Sequence, residues 1–193
     1  MPPKKKIQKE DIINTSYEIV KNEGMEALNA RKIAKKLNCS IQPIFHNFTN
    51  MEELKSEVLN KIYNTYKELI FSKSSEEYAY KNIGLSYIKF AKEYPNFFKL
   101  LFMQESKLKP EEFIMSDSTS DNIIKTGQKL TGLNYEEQKK FHLKVWVFTH
   151  GLACLAATNT CNFTDEEFND LLGSSVIQML NGYKGERVNE ENN

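Results

Sequence analysis

Asn29-Ala30-Arg31-Lys32-Ile33-Ala34-Lys35-Lys36-Leu37-Asn38-Cys39-Ser40-Ile41-Gln42-Pro43-Ile44-Phe45-His46-Asn47-Phe48 contains two short helical patterns with almost nothing between them. Asn29 is a good N-cap for the first, and Ile33, Ala34 and Leu37 line one of its faces. Asn38 tolerates the left-handed conformation that a tight turn demands. Ser40 is an N-cap for the second pattern, Ile41 to Asn47, and Pro43 falls in the first turn, where a missing N–H is harmless. Two helices this short must meet closely, so a small residue is needed inside the first, and Ala34 supplies it. Cys39 is the residue expected to turn inward after Asn38. Ile44 and Phe48 share a face that can be buried, which leaves Ile41, Gln42, Pro43, Phe45, His46 and Asn47 pointing away.

Working outward, residues 1–7 are rich in Pro and Lys and read as a basic arm, which either binds phosphates or a minor groove or is merely solvated. A helix follows on the spacing of Ile12, Ile13, Ile19 and Val20, with small Ser16 among them and Gly24 to end it. Beyond Phe48, Asn50 and Glu53 cap a long helix with the stripe Met51, Leu54, Val58, Ile62, Tyr66 and Leu69. Three short helices, the last two joined by a tight turn, form a helix-turn-helix, whose third helix is shaped for the major groove of DNA.

The rest of the chain is also helical. Ser74 and Glu77 form a capping box ahead of Ile83, Tyr87, Phe90 and Tyr94, and Pro95 breaks that pattern. Phe98, Leu101 and Phe102 mark a short helix. Residues 104–120 read as a loop with one helical turn after Pro110. A helix around Ile123, Ile124 and Leu130 comes next. Asn134 with Glu137 opens a helix through Phe141, Val145, Phe148, Leu152 and Leu155. Thr164 with Glu167 opens the last, with Phe168, Leu171, Leu172, Val176, Met179, Leu180 and Tyr183 on its stripe. No alternating strand pattern, heptad array or repeat interrupts this.

Composition agrees with a helical globular chain. Of 193 residues only 8 are Gly and 5 Pro, so there are few breakers. Net charge is zero, which excludes a uniformly basic coat but not a local basic face. Residues 1–36 carry nine basic against five acidic side chains, so a +4 excess sits at the front and −4 in the remainder. Cys39, Cys154 and Cys161 fit no common zinc spacing, and free thiols suit a reducing cytosol. No apolar run approaches the ~20 residues of a bilayer span, and no signal peptide opens the chain. We therefore expect a cytoplasmic protein without a membrane partner, metal or cofactor.

Residues 9–58 resemble the DNA-binding domain of the TetR family of bacterial repressors. The resemblance is carried by Ile12-Ile13-Asn14-Thr15-Ser16, Glu23-Gly24, Arg31 to Leu37, Cys39-Ser40, Ile44-Phe45, Phe48 and Glu52-Glu53-Leu54, in gapless spacing. It implies that Ile41, Gln42 and Pro43 touch base edges and that Phe45 replaces a Tyr that contacts the DNA backbone. Asn47 stands where a His is usual. Asn29 and Arg31 open the second helix, where helix dipole and donors hold a phosphate. Met51 stands where a phosphate-binding Lys is common, and Lys55, one turn on, can compensate. With Ser40 and His46 these complete the candidate DNA-facing set.

Tyr94 to Phe102, and Trp146, His150 and Gly151, resemble a C-terminal subgroup of that family named for a Trp-His-Gly motif. In the family the last two helices pair across a dyad, which assigns Val145, Phe148, Leu152, Phe168, Leu172, Val176 and Met179 to a homodimer face. Gly173, Ser174 and Ser175 allow close approach there. Tyr87, Phe90, Tyr94, Phe98, Phe102, Trp146 and His150 are either the wall of an effector pocket or ordinary core. His150 with Cys154 and Cys161 lacks a fourth ligand for a metal site.

The expectation is an all-α chain. Residues 1–58 form the helix-turn-helix domain with its arm, and 59–193 a larger helical bundle for effector binding and dimerisation. The implied function is a regulator, a repressor or alternatively an activator, that binds a near-palindromic double-stranded operator as a homodimer and responds to a small apolar or aromatic effector of unknown identity. A helical enzyme is the rival, but the sequence has no HExxH, GxSxG or Gly-rich phosphate loop and no Ser/His/Asp set. An interaction adaptor that has lost DNA binding is another, kept open by Phe45 and Met51.

Overall fold

The computed structural model describes residues 7–71, 79–116 and 119–191, and every regular element among them is helical. The chain divides into two compact units, one of residues 1–66 with 94–104, the other of 67–93 with 105–193. The arm at 2–6 and the capping box expected at Ser74 and Glu77 lie outside the described residues.

In the first unit α1 (Lys9–Glu23) presents Ile12, Ile13, Ser16, Ile19 and Val20 inward. The Ser16 hydroxyl donates to the Ile12 carbonyl (2.7 Å), which satisfies it inside the core. Gly24 ends the helix at φ +84°, its N–H donating to the Val20 carbonyl (2.9 Å). That backbone angle suits a residue without Cβ. A 3-10 turn, Met25–Ala27, leads to α2 (Ala30–Lys36) and then α3 (Gln42–Asn47). Asn29 caps α2 as expected, accepting from the Lys32 N–H (3.0 Å). Asn38 sits at φ +51° in the turn, and the Cys39 N–H donates to the Ala34 carbonyl (3.0 Å).

Two local expectations need correction. Ser40 does not cap α3: that helix begins one residue later from Ile41, with no side-chain cap bond. Pro43 already fixes the first turn, and the Ile44 N–H reaches the Ile41 carbonyl (3.1 Å) without help. Cys39 is half-buried rather than enclosed.

The long helix α4 (Met51–Phe71) starts at the expected cap, the Glu53 N–H donating to Asn50 Oδ1 (2.9 Å) and the Thr49 N–H to Glu53 Oε2 (2.7 Å). Leu54, Val58, Ile62 and Tyr66 are buried along its inner stripe. Lys9 fastens α1 to α4 through Glu57 (2.7 Å) while its ammonium lies 5.1 Å from the Phe48 ring centroid.

The unit boundary also differs from residue 58. α6 (Pro95–Phe102) belongs with α1 and α4, not with the bundle that precedes and follows it in sequence. Phe97 and Phe98 are fully enclosed, Phe97 lying 4.8 Å from the Tyr17 ring and Phe102 5.0 Å from Tyr66. Asn96 Nδ2 donates to the Lys21 carbonyl (2.9 Å). An eight-residue helix with two fully buried aromatics gains more from that burial than from its own hydrogen bonds.

The second unit contains α5 (Ala79–Glu93), α7 (Pro110–Met115), α8 (Ser120–Thr131), α9 (Tyr135–Thr158) and α10 (Asp165–Glu191). α9 packs on α5, α8 and α10. The expected capping boxes open both long helices: the Glu137 N–H donates to Asn134 Oδ1 (3.0 Å), and the Glu167 N–H to Thr164 Oγ1 (3.2 Å). No described helix is long and apolar enough to cross a membrane.

Replacing Phe97 by Ala removes the largest ring under α1, so we expect the chain to lose about 3–5 kcal/mol of stability in urea denaturation. A loss below 1 kcal/mol, under the range for such a truncation, would mean that α6 does not hold the first unit together.

Candidate nucleic-acid interface

The third helix is built as the sequence requires. Ile44 and Phe48 are buried and fix its inner face. The opposite face carries Ile41 and Phe45, each 47% exposed, with Gln42 and His46 also exposed. Two large apolar side chains left in water beside two polar ones form a surface that no described residue covers. Pro43 and Asn47 are half-buried. Asn47 turns back on its own helix, its Nδ2 donating to the Pro43 carbonyl (2.7 Å).

The cations around this face fall into two groups. Lys32 pairs with Glu23 and Lys55 with Glu52 (2.8 Å), so Lys55 is already neutralised locally. The Glu52 carboxylate holds the Lys55 ammonium above its ordinary pKa, first by hydrogen bond and then by charge. Arg31, Lys35 and Lys36 are exposed and make no ion pair among the described residues. Arg31 and Lys35, four residues apart, share a face of α2. Asn29 commits its side chain to capping, since Nδ2 also donates to the Ala27 carbonyl (3.3 Å). That side chain sets the start of α2. Ser40 is exposed in the turn.

Of the seven residues considered for an effector pocket, three lie in the first unit and four in the second. Tyr94, Phe98 and Phe102 belong to the first unit: Tyr94 stacks on Phe97 (5.6 Å), and Phe98 is fully buried against Phe102 (5.5 Å). In the second unit Phe90 is fully enclosed. Tyr87, Trp146 and His150 do meet: Tyr87 Oη and His150 Nδ1 are 2.9 Å apart, and Trp146 stacks on the imidazole (4.9 Å). Burial lowers the His150 pKa. Tyr87 is buried, and Trp146 and His150 are half-buried.

A cavity of about 370 Å³ lies elsewhere in the second unit, between α5, α9 and α10, with Leu130 of α8 at its edge. Its lining includes Val145, Leu172 and Val176, three of the seven residues assigned to a dimer face. Val145, Leu152, Phe168 and Leu172 are all buried within the chain, and Val176 and Met179 pack on the cluster of Tyr80, Ile123, Leu133, Phe141 and Val145. Phe148, Val176 and Met179 of the same set are half-buried. The exposed apolar residues of these helices are instead Val147 (56%), Leu171 (40%) and Ile177 (61%).

Beside the cavity runs a buried polar chain. Tyr80 Oη lies 2.8 Å from His142 Nδ1, and the Thr131 hydroxyl is shared between the Gly127 carbonyl (3.1 Å) and Gln138 Oε1 (2.6 Å). Gly127 admits the Gln138 amide where any Cβ would collide with it. Sequence periodicity missed these residues, because polar side chains on an apolar stripe give no sign of which groups they meet. Burial raises the Tyr80 pKa and lowers that of His142 to about 4.

No family model matches the sequence, and no curated protein matches it. Solved structures do. A TetR-like transcriptional regulator from Rhodococcus sp. RHA1 superposes with a TM-score of 0.65 at 15% identity, over 90% of this chain and 95% of that one. A second transcriptional regulator from Rhodococcus sp. Rha1 gives 0.59 at 14%, over 90% and 96%. A TetR protein with one substitution from Acinetobacter baumannii AYE, in complex with minocycline, gives 0.54 at 14%, over 94% and 99%. The chain has the all-α TetR-like fold.

His142 makes that fold sensitive to acid. Its pKa falls from an ordinary 6.5 to about 4 on folding, so between those values the unfolded chain binds the extra proton. Stability is then lost as pH falls from 6.5 towards 4, by up to about 1.4 kcal/mol per pH unit from this group. Urea denaturation across that window is expected to show the slope in the native chain and a shallower one in His142→Gln. Equal slopes would show that His142 is not the neutral buried group.

Proposed function

We propose that this chain is a DNA-binding transcriptional regulator, acting as a homodimer and released from its operator by a small molecule. The observation that carries the reading is the outer face of α3. Ile41, Gln42, Phe45 and His46 stand exposed on a helix anchored by Ile44 and Phe48. Gln42 matches the bidentate pattern that reads adenine, and Ile41 and Phe45 match the apolar contact made with thymine methyls. Arg31, Lys35 and Lys36 supply phosphate contacts, the salt-sensitive part of affinity. The TetR-like fold supports this reading, and so does the likeness to the TetR-like transcriptional regulator of Rhodococcus sp. RHA1.

Dimerisation belongs to the exposed stripe rather than to the enclosed one. Val147 and Gly151 repeat along the outside of α9, and Ser174 stands on the outside of α10. Small and apolar residues at helical spacing let two copies approach. The dimer presents two α3 helices to half-sites about 34–36 Å apart. An effector shifts that arrangement only by its differential affinity for the two states.

Mobility shift with the intergenic DNA flanking its own gene, at two salt concentrations with unrelated competitor, tests the main claim. A discrete competitor-resistant complex is expected, and its absence on any such DNA would favour the adaptor. Gln42→Ala should weaken the specific complex by about 1–3 kcal/mol while sparing nonspecific binding. Val147→Arg places a charge in the proposed seam and should yield monomers in sedimentation at a concentration where the native chain is dimeric. Dimers that persist would move the seam off this stripe.

A further inference from the structure

The cavity of the second unit has one charged side chain in its lining, Lys81. Every other polar side chain there is already engaged. The Thr149 hydroxyl donates to the Val145 carbonyl (2.7 Å). Its methyl faces Gly84 instead, 3.8 Å from where a Cβ would stand. Tyr80 directs its hydroxyl at His142 (2.8 Å). What remains is a wall of Leu130, Val145, Leu172, Val176 and Ile177 with a single ammonium beside it.

That ammonium has no carboxylate partner among the described residues, whereas Lys89, Lys92 and Lys125 of the same unit are paired with Glu93, Asp165 and Asp121. Gly173 preserves the space around it, since a Cβ there would lie 3.1 Å from Lys81 Nζ and 3.4 Å from Cε. Gly84 lets α5 and α10 close the other side, where a Cβ would come 2.9 Å from Leu172 Cδ2. Glycines at these two positions bring the helices together and leave the cation room.

We propose that this cavity binds a small amphipathic monocarboxylate, its apolar body against Val145, Leu172, Val176 and Ile177 and its carboxylate on the Lys81 ammonium. The inference rests on the reading of the second unit as the effector-binding half of a regulator, and adds the ligand's chemical class. At 370 Å³ the cavity falls in the range of small-molecule sites, roughly 300–1,000 Å³. One cation and no free acceptor disfavour a cationic ligand, which would bury like charges. A phosphate monoester would leave charge uncompensated, and a neutral polyol would leave hydroxyls unpaired. A monocarboxylate satisfies the ammonium and places nothing polar against the wall.

Calorimetric titration of the full chain, without DNA, with octanoate, 1-octanol and octyltrimethylammonium tests this. Octanoate is expected to bind about tenfold more tightly than octanol, the worth of one charge-assisted hydrogen bond, and octyltrimethylammonium not at all. Lys81→Met should bring octanoate down to the octanol level without changing octanol, and Lys81→Arg should restore the preference. Equal affinities, a preference that survives in Lys81→Met, or no binding by octanoate overturns the proposal. So does octanoate binding that weakens as protein concentration rises, which would give the cavity to a second copy of the chain. DNA plays no part in the titration, so a failed mobility shift leaves its result standing. Conversely, octanoate that binds without releasing DNA retires the effector role and keeps the site.

Discussion

A six-residue helix does not hold its own shape in water. α3 persists because Ile44 and Phe48 are locked into the core of the first unit, with Lys9 lying over the Phe48 ring and tied to Glu57 of α4. Everything the outer face of α3 offers depends on that anchoring. If the inner pair loosened, Ile41, Gln42, Phe45 and His46 would lose their common face. The turn before the helix is equally constrained, since Asn38 must adopt φ +51° for the Cys39 N–H to reach Ala34. The outer face of α3 is therefore a consequence of burial behind it.

The same logic governs α6 and the second unit. α6 carries aromatics with no exposed counterpart to explain them, and the packing of Phe97 under Tyr17 accounts for their number. In the second unit long helices carry both apolar and polar residues on their inner sides. In the interior Tyr80 pairs with His142 and Thr131 with the Gln138 carbonyl oxygen, while Gly127 leaves room for the Gln138 amide nitrogen, which has no hydrogen-bond partner among the described residues. Buried polar groups of this kind hold a helix register, because sliding one helix leaves several groups unsatisfied at once. The cavity lies next to this chain, where Gly84 and Gly173 thin the wall.

Much of this was legible beforehand. The helix-turn-helix could be read residue by residue, since capping, a left-handed Asn, a Pro in the first turn and a two-residue anchor are all local signals. The caps at Asn29, Asn50, Asn134 and Thr164 appear where the pattern S/T/N-x-x-E or a lone Asn placed them. Ser40 was misread because a hydroxyl before a helix looks the same whether or not it bonds. Val145, Leu152, Phe168 and Leu172 of the expected dimer face, and Phe90 and Phe98 of the expected pocket wall, are buried within the chain. Apolar residues at helical spacing mark an inner stripe, and inner stripes are consumed by the chain's own core. Val147 and Ile177 are apolar residues left exposed on the outer sides of α9 and α10.

What the sequence by itself determined is the set of helices, their caps, the tight turn and the identity of the side chains left over on α3, because each follows from interactions within about four residues. Tertiary structure alone decided three things. It decided that α6 joins the first unit, that Tyr80, Tyr87 and Phe90 of α5 are buried, and that Lys81, with no ion pair among the described residues, borders an apolar cavity. Those outcomes depend on which distant residues meet, as Tyr17 meets Phe97 and Gly173 meets Lys81. Periodicity along one helix records that a face is buried, and carries no record of what buries it.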